Sequence, residues 1–211
     1  MADRKAHQAA KNVVAVVLAA GRSLRMGSKN KLLERLGGKS ILHHVVTALQ
    51  ESKIKSVVVV LGHEAEKIKI DLEGEDVTYV MNPDYEQGMG TSIRTGIRSV
   101  DKSASGAVIM LGDMPLISSK TIDRLVHDFN SNPQAEIVVP TYENQPGNPV
   151  LWSSRFFPQL SSLDGDLGGK PLIKANTDAV SFCPVESGSI HIDVDDAQEL
   201  ERLRATAGPR S

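Results

Sequence analysis

The residues best suited to chemistry come early in the chain. An apolar run, Val13–Leu18, ends in Ala19-Ala20-Gly21, and a stretch carrying Arg22, Arg25, Lys29 and Lys31 follows. Gly21 and Gly27 bracket the loop. Glycines let backbone N–H groups approach an anion closely, and the cations add charge. Such a loop suits a polyphosphate; a solvated basic loop is the plainer alternative. Two familiar phosphate motifs do not fit. A P-loop has four residues between its glycines, then Gly-Lys-Ser/Thr; here five residues separate Gly21 from Gly27, and Ser28 follows. A dinucleotide fingerprint has a second glycine two residues after the first, and position 23 is serine.

Carboxylates supply the complementary chemistry. Asp113 lies in Leu111-Gly112-Asp113-Met114-Pro115, just past a second apolar run, where Gly112 and Pro115 turn the chain. It either helps hold a hard cation such as Mg2+, which takes one or two carboxylates plus phosphate oxygens, or caps the turn. A further group, His191-Ile192-Asp193-Val194-Asp195-Asp196, precedes the last helical pattern. There Asp195 reads as the helix N-cap and Asp196 as first-turn charge. In Gly88-Met89-Gly90-Thr91-Ser92, glycine and hydroxyl residues open a helix; they either face a ligand with N–H and hydroxyl groups or only cap it.

The elements that must position these residues alternate between strand and helix. Val13–Leu18, Lys55–Leu61, Val77–Met81, Gly106–Leu111 and Glu136–Pro140 read as strands. The first shows no polar alternation, as expected of a strand buried on both faces. Ser40–Ser52, with Ser40 as N-cap, His63–Leu72, Thr91–Val100 and Ser118–Asn130 read as helices, and Asn82–Gly90 as a loop. This order predicts an α/β fold: a mainly parallel, Rossmann-like sheet with helices on both faces, hence three layers. Such sheets bind ligands outside the carboxyl ends of their strands, where the first loop and Asp113 both fall. Beyond about Thr141 the pattern loosens. Tyr142–Trp152 reads as a Pro146-Gly147 turn between short strands, Leu163–Asn176 as a Gly- and Asp-rich stretch turning helical. Asp178–Phe182 and Ser189–Ile192 read as strands, and Asp195–Thr206 as a closing helix. The expected division is one domain over 13–206, with a regular half (13–140) and a less regular, substrate-facing half (141–206). Met1–Asn12 and Thr206–Ser211 read as a disordered lead-in and a frayed tail.

Composition narrows the classes. At 211 residues, 40% hydrophobic and 24% charged, the chain can build a substantial core. A net charge of -2 argues against nucleic acid as the main partner, and no apolar stretch reaches membrane-spanning length. Cys183 is the only cysteine, which excludes an internal disulfide. Met1–Asn12 lacks an apolar secretory core, so a cytoplasmic location is expected. The six histidines make no metal-binding spacing. Ser23 and Cys183 have no evident base beside them.

The first loop resembles the nucleotide-binding signature of the MobA-like nucleotidyltransferases, L-A-(A/G)-G-x-S-x-R-M-G-x-x-K-x-L. The matching residues are Leu18-Ala19-Ala20-Gly21, Ser23, Arg25-Met26-Gly27 and Lys31-Leu32-Leu33. The resemblance implies a nucleotide-diphospho-sugar-transferase-like fold and nucleotide binding by Leu18, Ala19, Ala20, Gly21, Arg25, Lys31, Gly90, Thr91 and Ser92. Arg25, Lys31 and Asp113 would be catalytic, and Asp113 and Asp193 would hold Mg2+. The Ala-Ala-Gly form is similar to the branch that uses CTP to convert molybdenum cofactor. In that branch Gly147-Asn148-Pro149 and Asp166 with Lys170 would face a molybdopterin-type acceptor; Lys170 stands where arginine is usual. A molybdoenzyme or its chaperone would be the partner receiving the product. Two other readings stay open. One is transfer to another acceptor (guanylyl transfer to molybdopterin, or a sugar phosphate or methylerythritol phosphate). The other is an NAD(P)-dependent oxidoreductase or a binding module on the same fold.

Overall fold

A computed structural model describes residues 11–23 and 29–206. Arg25, Met26 and Gly27 lie outside the described residues, as do most of the expected lead-in and tail.

Ten strands and seven helices are described. The strands are β1 (Val13–Ala19), β2 (Arg35–Leu36), β3 (Lys39–Ser40), β4 (Val57–Leu61), β5 (Thr78–Met81), β6 (Gly106–Leu111), β7 (Ile137–Tyr142), β8 (Gln145–Pro146), β9 (Val150–Ser153) and β10 (Val180–Pro184). The helices are α1 (Ile41–Gln50), α2 (Ala65–Asp71), α3 (Met89–Ser99), α4 (Ser119–Ser131), α5 (Phe157–Leu160), α6 (Lys170–Ala175) and α7 (Ala197–Thr206). The main sheet runs β10-β7-β9-β6-β1-β4-β5, with β8 paired to β7. β1 lies inside the sheet between β6 and β4, parallel to both, and β10 runs parallel to β7. Only β8 and β9 run against their neighbours. The mainly parallel α/β architecture expected from the sequence is therefore present.

Alternation along β1 explains its apolar composition. Ala15, Val17 and Ala19 pack with Leu42, Val45 and Leu49 of α1 and Ile68 of α2. Val14 and Val16 pack on the opposite face with Ile93 and Ile97 of α3 and Leu160 of α5. Residues one apart on a strand point to opposite faces, so a central strand covered on both sides has no place for a polar side chain. α4 covers the sheet on the α1 side through Leu125, Val126 and Phe129. Ser40 caps α1 as expected, and Ser118 caps α4; they accept from the His43 and Thr121 N–H groups. Trp152 joins the α3-side core, its ring edge-on to Phe156.

Two expectations need correction, and one element is new. Ser189–Ile192 is not a strand; Gly188–His191 forms a 3-10 turn whose Ile190 plugs the α1-side core. The tight turn after β7 falls at Glu143–Asn144, both with positive φ, and Gln145–Pro146 then pairs back on Tyr142 and Thr141. The short β2–β3 hairpin, turning at Gly37-Gly38 with positive φ at both, has no counterpart in the sequence reading. Its signal was that glycine pair, which suits a two-residue hairpin turn.

Candidate functional site

A cleft of about 630 Å3 opens at the carboxyl end of the central strands. Leu18, Ala20, Gly21 and Arg22 form one wall, Gly88, Met89 and Ser92 another, and Lys31, Asp113, Asp193 and Asp195 its polar floor.

Backbone bonds fix that floor. Gly112 N–H donates to the Leu18 carbonyl over 3.1 Å, fastening the end of β6 to the end of β1. A side chain at Gly112 would meet that carbonyl and the Leu42 and Leu32 side chains, so only glycine allows the approach. The next residue, Asp113, is thereby set beside the first loop. Val194 N–H donates to the Asp113 carbonyl over 2.9 Å, which joins the C-terminal segment to the same place. Val194 is fully buried with Leu36, Ile41 and Leu200, while its neighbours Asp193 and Asp195 line the cleft.

Lys31 is held as firmly. Its N–H donates to Ser23 Oγ, and its carbonyl accepts from Glu34 N–H, within a 3-10 turn (Lys31–Leu33) capped by Asn30. Leu32 anchors the turn in the core. The Lys31 Nζ lies 2.5 Å from Asp113 Oδ2 and 3.1 Å from Asp195 Oδ1. Burial pulls the Lys31 ammonium down, but the two carboxylates outweigh it and leave its pKa above the ordinary lysine value. Burial and then the charges of Asp195 and Asp113 push the Asp193 carboxyl above the usual aspartate value.

Among the described residues, Asp113, Asp193 and Asp195 offer carboxylate oxygens all within 4.8 Å of one another. Asp113 Oδ1 is buried and accepts no hydrogen bond. A hard divalent cation wants such oxygen ligands, and an orphaned carboxylate oxygen is an unmet demand for one. The donor set therefore fits Mg2+ or a similar ion.

Asp195 was read as the cap of the last helix. The cap is Asp196, whose Oδ1 accepts from Glu199 N–H over 2.9 Å, three residues on. That one-residue shift of the helix start leaves Asp195 in the acidic cluster. The Asp-x-Asp spacing around a buried valine was the signal.

The other expected residues divide. Leu18, Ala20, Gly21, Ser92 and Asp166 line the cleft, with Lys31, Asp113 and Asp193. Ala19 points into the α1-side core. Thr91 is fully buried, and its hydroxyl is engaged with the Asp84 and Gly88 carbonyls. Gly90 N–H donates to the Gly165 carbonyl over 2.7 Å, so it ties α3 to the 164–166 loop. Gly147, Asn148 and Pro149 do not line the cleft; Asn148 N–H donates to the Ile190 carbonyl. Lys170 is exposed at the start of α6 and does not reach the cleft. Arg22 and Lys29 pair with Glu86 and Glu34 on the surface. Asn82, expected only at the start of the 82–90 loop, is buried and donates through Nδ2 to both Thr91 Oγ1 and Ser92 Oγ.

A family model described as the MobA-like NTP transferase domain matches residues 15–180. The bifunctional protein GlmU of Solibacter usitatus is 29% identical over 133 residues, which is 62% of this chain and 28% of that protein. The chain thus spans about a quarter of the length of the curated relatives it matches. Among solved structures, Rv0371c from Mycobacterium tuberculosis H37Rv is 28% identical with a TM-score of 0.84, covering 94% of this chain and 100% of that one. Its homolog from Mycobacterium sp. strain JC1 is 31% identical with a TM-score of 0.83, covering 93% and 96%. A second Rv0371c structure, 27% identical with a TM-score of 0.77 and covering 93% and 99%, is a complex with manganese.

Proposed function

Since the chain belongs to the MobA-like NTP transferase domain family, we propose that it transfers CMP from CTP to a molybdopterin-type acceptor, giving a cytosine dinucleotide cofactor and pyrophosphate. The observation that carries nucleotidyl transfer is the cluster of Lys31, Asp113, Asp193 and Asp195 beneath the Ala20-Gly21 end of β1. The CTP assignment rests on the Ala-Ala-Gly form of the first loop.

In this reading the triphosphate lies along the floor, with the nucleoside against Ala20, Gly21, Met89 and Ser92. An oxygen of the acceptor's phosphate attacks the α-phosphorus of CTP. The bond from that phosphorus to the bridging oxygen breaks, and pyrophosphate leaves with the electron pair. The nucleophile is already anionic, so the site needs no general base. Its work is positioning and charge. Lys31 and Arg25 offset the charge that grows on the leaving pyrophosphate. Asp113, Asp193 and Asp195 would hold the divalent cation, which when bound neutralises phosphate oxygens and orients them. The manganese complex of Rv0371c supports a metal in this reading. Asp166, on the opposite wall, would face the acceptor. Gly147, Asn148, Pro149 and Lys170, outside the cleft lining, would contact the more distant part of the acceptor. The product would pass to a molybdoenzyme or its chaperone in the cytoplasm.

Pyrophosphate release measured with CTP, GTP, ATP and UTP, with Mg2+, with and without molybdenum-loaded molybdopterin, tests the proposal. Release that requires both CTP and the pterin is expected. Release with GTP and the pterin would move the reaction to guanylyl transfer. Release only with a sugar phosphate or methylerythritol phosphate would replace the acceptor.

A further inference from the structure

The Lys31 ammonium stands against carboxylates that the proposed reaction needs for a metal. It lies 2.5 Å from Asp113 and 3.1 Å from Asp195, two of the three residues whose oxygens fit a cation. Three carboxylates this close repel one another, and an ammonium within the cluster offsets part of that charge. A divalent ion would do the same. Lys31 holds Asp113 Oδ2 and Asp195 Oδ1, so a cation chelated by these carboxylates would either share them with the ammonium against its repulsion or displace it.

Lys31 is also built to move only at its tip. Its backbone is fixed by Ser23 Oγ, by the Asn30-capped turn and by buried Leu32. The four-carbon stem can rotate while the backbone stays in place. The side chain borders the cleft, where a triphosphate offers a stronger anionic partner than two carboxylates.

We propose that Lys31 is an internal competitor for the divalent cation: it occupies Asp113 and Asp195 while the cleft lacks nucleotide, and releases them to the metal when a triphosphate draws it away. The proposal rests on the nucleotidyl-transfer reading. It predicts positive coupling between nucleotide and metal, with Lys31 as the element that two states share. A lone metal would bind weakly, and the loaded nucleotide would call it in.

Mn2+ binding by the full chain, read from the EPR signal of the free ion, tests this without any turnover. Lys31→Met keeps the apolar stem and removes the charge; Lys31→Gln provides a second, polar replacement if the first disturbs packing. Without nucleotide, both variants should bind Mn2+ about tenfold or more tightly than the parent chain. With a non-transferable CTP analogue present, the parent's affinity should rise by a larger factor than that of either variant. Equal or weaker Mn2+ binding by the variants, with Asp113→Asn still abolishing binding, would overturn the competitor role and leave the metal site standing. Equal gains from the nucleotide in parent and variants would overturn the handover. No Mn2+ binding by the parent or by either Lys31 variant, with or without nucleotide, would remove the metal reading itself, and the competitor with it.

Discussion

Lys31 Nζ touches Asp113 Oδ2 at 2.5 Å, although 82 positions separate the two residues. Two hydrogen bonds from backbone N–H groups make that meeting possible. Gly112 N–H reaches the Leu18 carbonyl, and Lys31 N–H reaches Ser23 Oγ, so both partners hang from the carboxyl end of β1. The pair is mostly buried, with side-chain exposures of 16% and 15%, which strengthens its electrostatics relative to a surface pair.

Asp113→Asn should lower CTP-dependent pyrophosphate release at least about 100-fold, because even residues that only support metal ligands typically cost 10- to 100-fold. The substitution keeps the side chain's shape and removes its charge. Chelation of divalent ions should abolish release in the parent chain, and Mg2+ should restore it. Unchanged release in Asp113→Asn, measured by a coupled phosphate assay, would remove Asp113 from the metal site.

Gly112→Ala tests the fastening directly. The new methyl group would press on the Leu18 carbonyl and on Leu42 and Leu32. Overpacking of this kind costs about 1–3 kcal/mol, visible as a lowered thermal midpoint. Activity should fall further than the stability loss alone accounts for, since Asp113 is displaced with its neighbour. A melting temperature equal to the parent's would mean that the end of β6 can shift freely.

The pattern of what could be read is physical. Buried parallel strands such as β1 and β4 announce themselves because covering on both faces leaves only apolar residues, as Val57–Leu61 shows. Strand ends then locate the cleft, so Lys31 and Asp113 were legible as members of one site. The pairing of Lys31 with the carboxylates was not, since it depends on an approach that one glycine permits. Asp195 was misread as a cap because Asp195 and Asp196 both suit that position, and only the burial of Val194 decides between them. Thr91 was read toward the ligand, yet a hydroxyl at a helix start meets backbone carbonyls as readily as a nucleotide. Arg25 lies outside the described residues.

Asn82→Ala should weaken both fold and nucleotide binding. The Asn82 amide bridges Thr91 and Ser92, its Oδ1 accepts from Asp84 N–H, and the residue is fully buried. Its removal takes from the buried Ser92 hydroxyl the amide that it accepts from, while Thr91 keeps the Asp84 and Gly88 carbonyls; a buried group left unsatisfied costs about 1–3 kcal/mol. Ser92, freed from its partner, would no longer be fixed at the cleft wall. A raised KM for CTP with a smaller change in kcat is the expected signature. A changed kcat with KM untouched would show that Asn82 does not position the nucleotide wall.

Cys183 gives a clean reporter of unfolding. Its thiol is buried between β10 and α4, and burial, with help from nearby Asp128, pushes its pKa above the ordinary thiol value. The neutral thiol is therefore favoured in the folded state, while the unfolded chain ionises near pH 8.5. Below that value both states carry the proton, and the group contributes nothing to pH dependence. As pH rises above it, the unfolded state loses its proton first, so stability should fall until the raised native pKa is passed. A disulfide exchange reagent at pH 8 should label Cys183 at the rate of opening, slowly in the native protein and at once in denaturant. Cys183→Ser should lose part of the alkaline decline in denaturant midpoint, and rapid labelling of the native protein would show that β10 opens independently of the rest of the sheet.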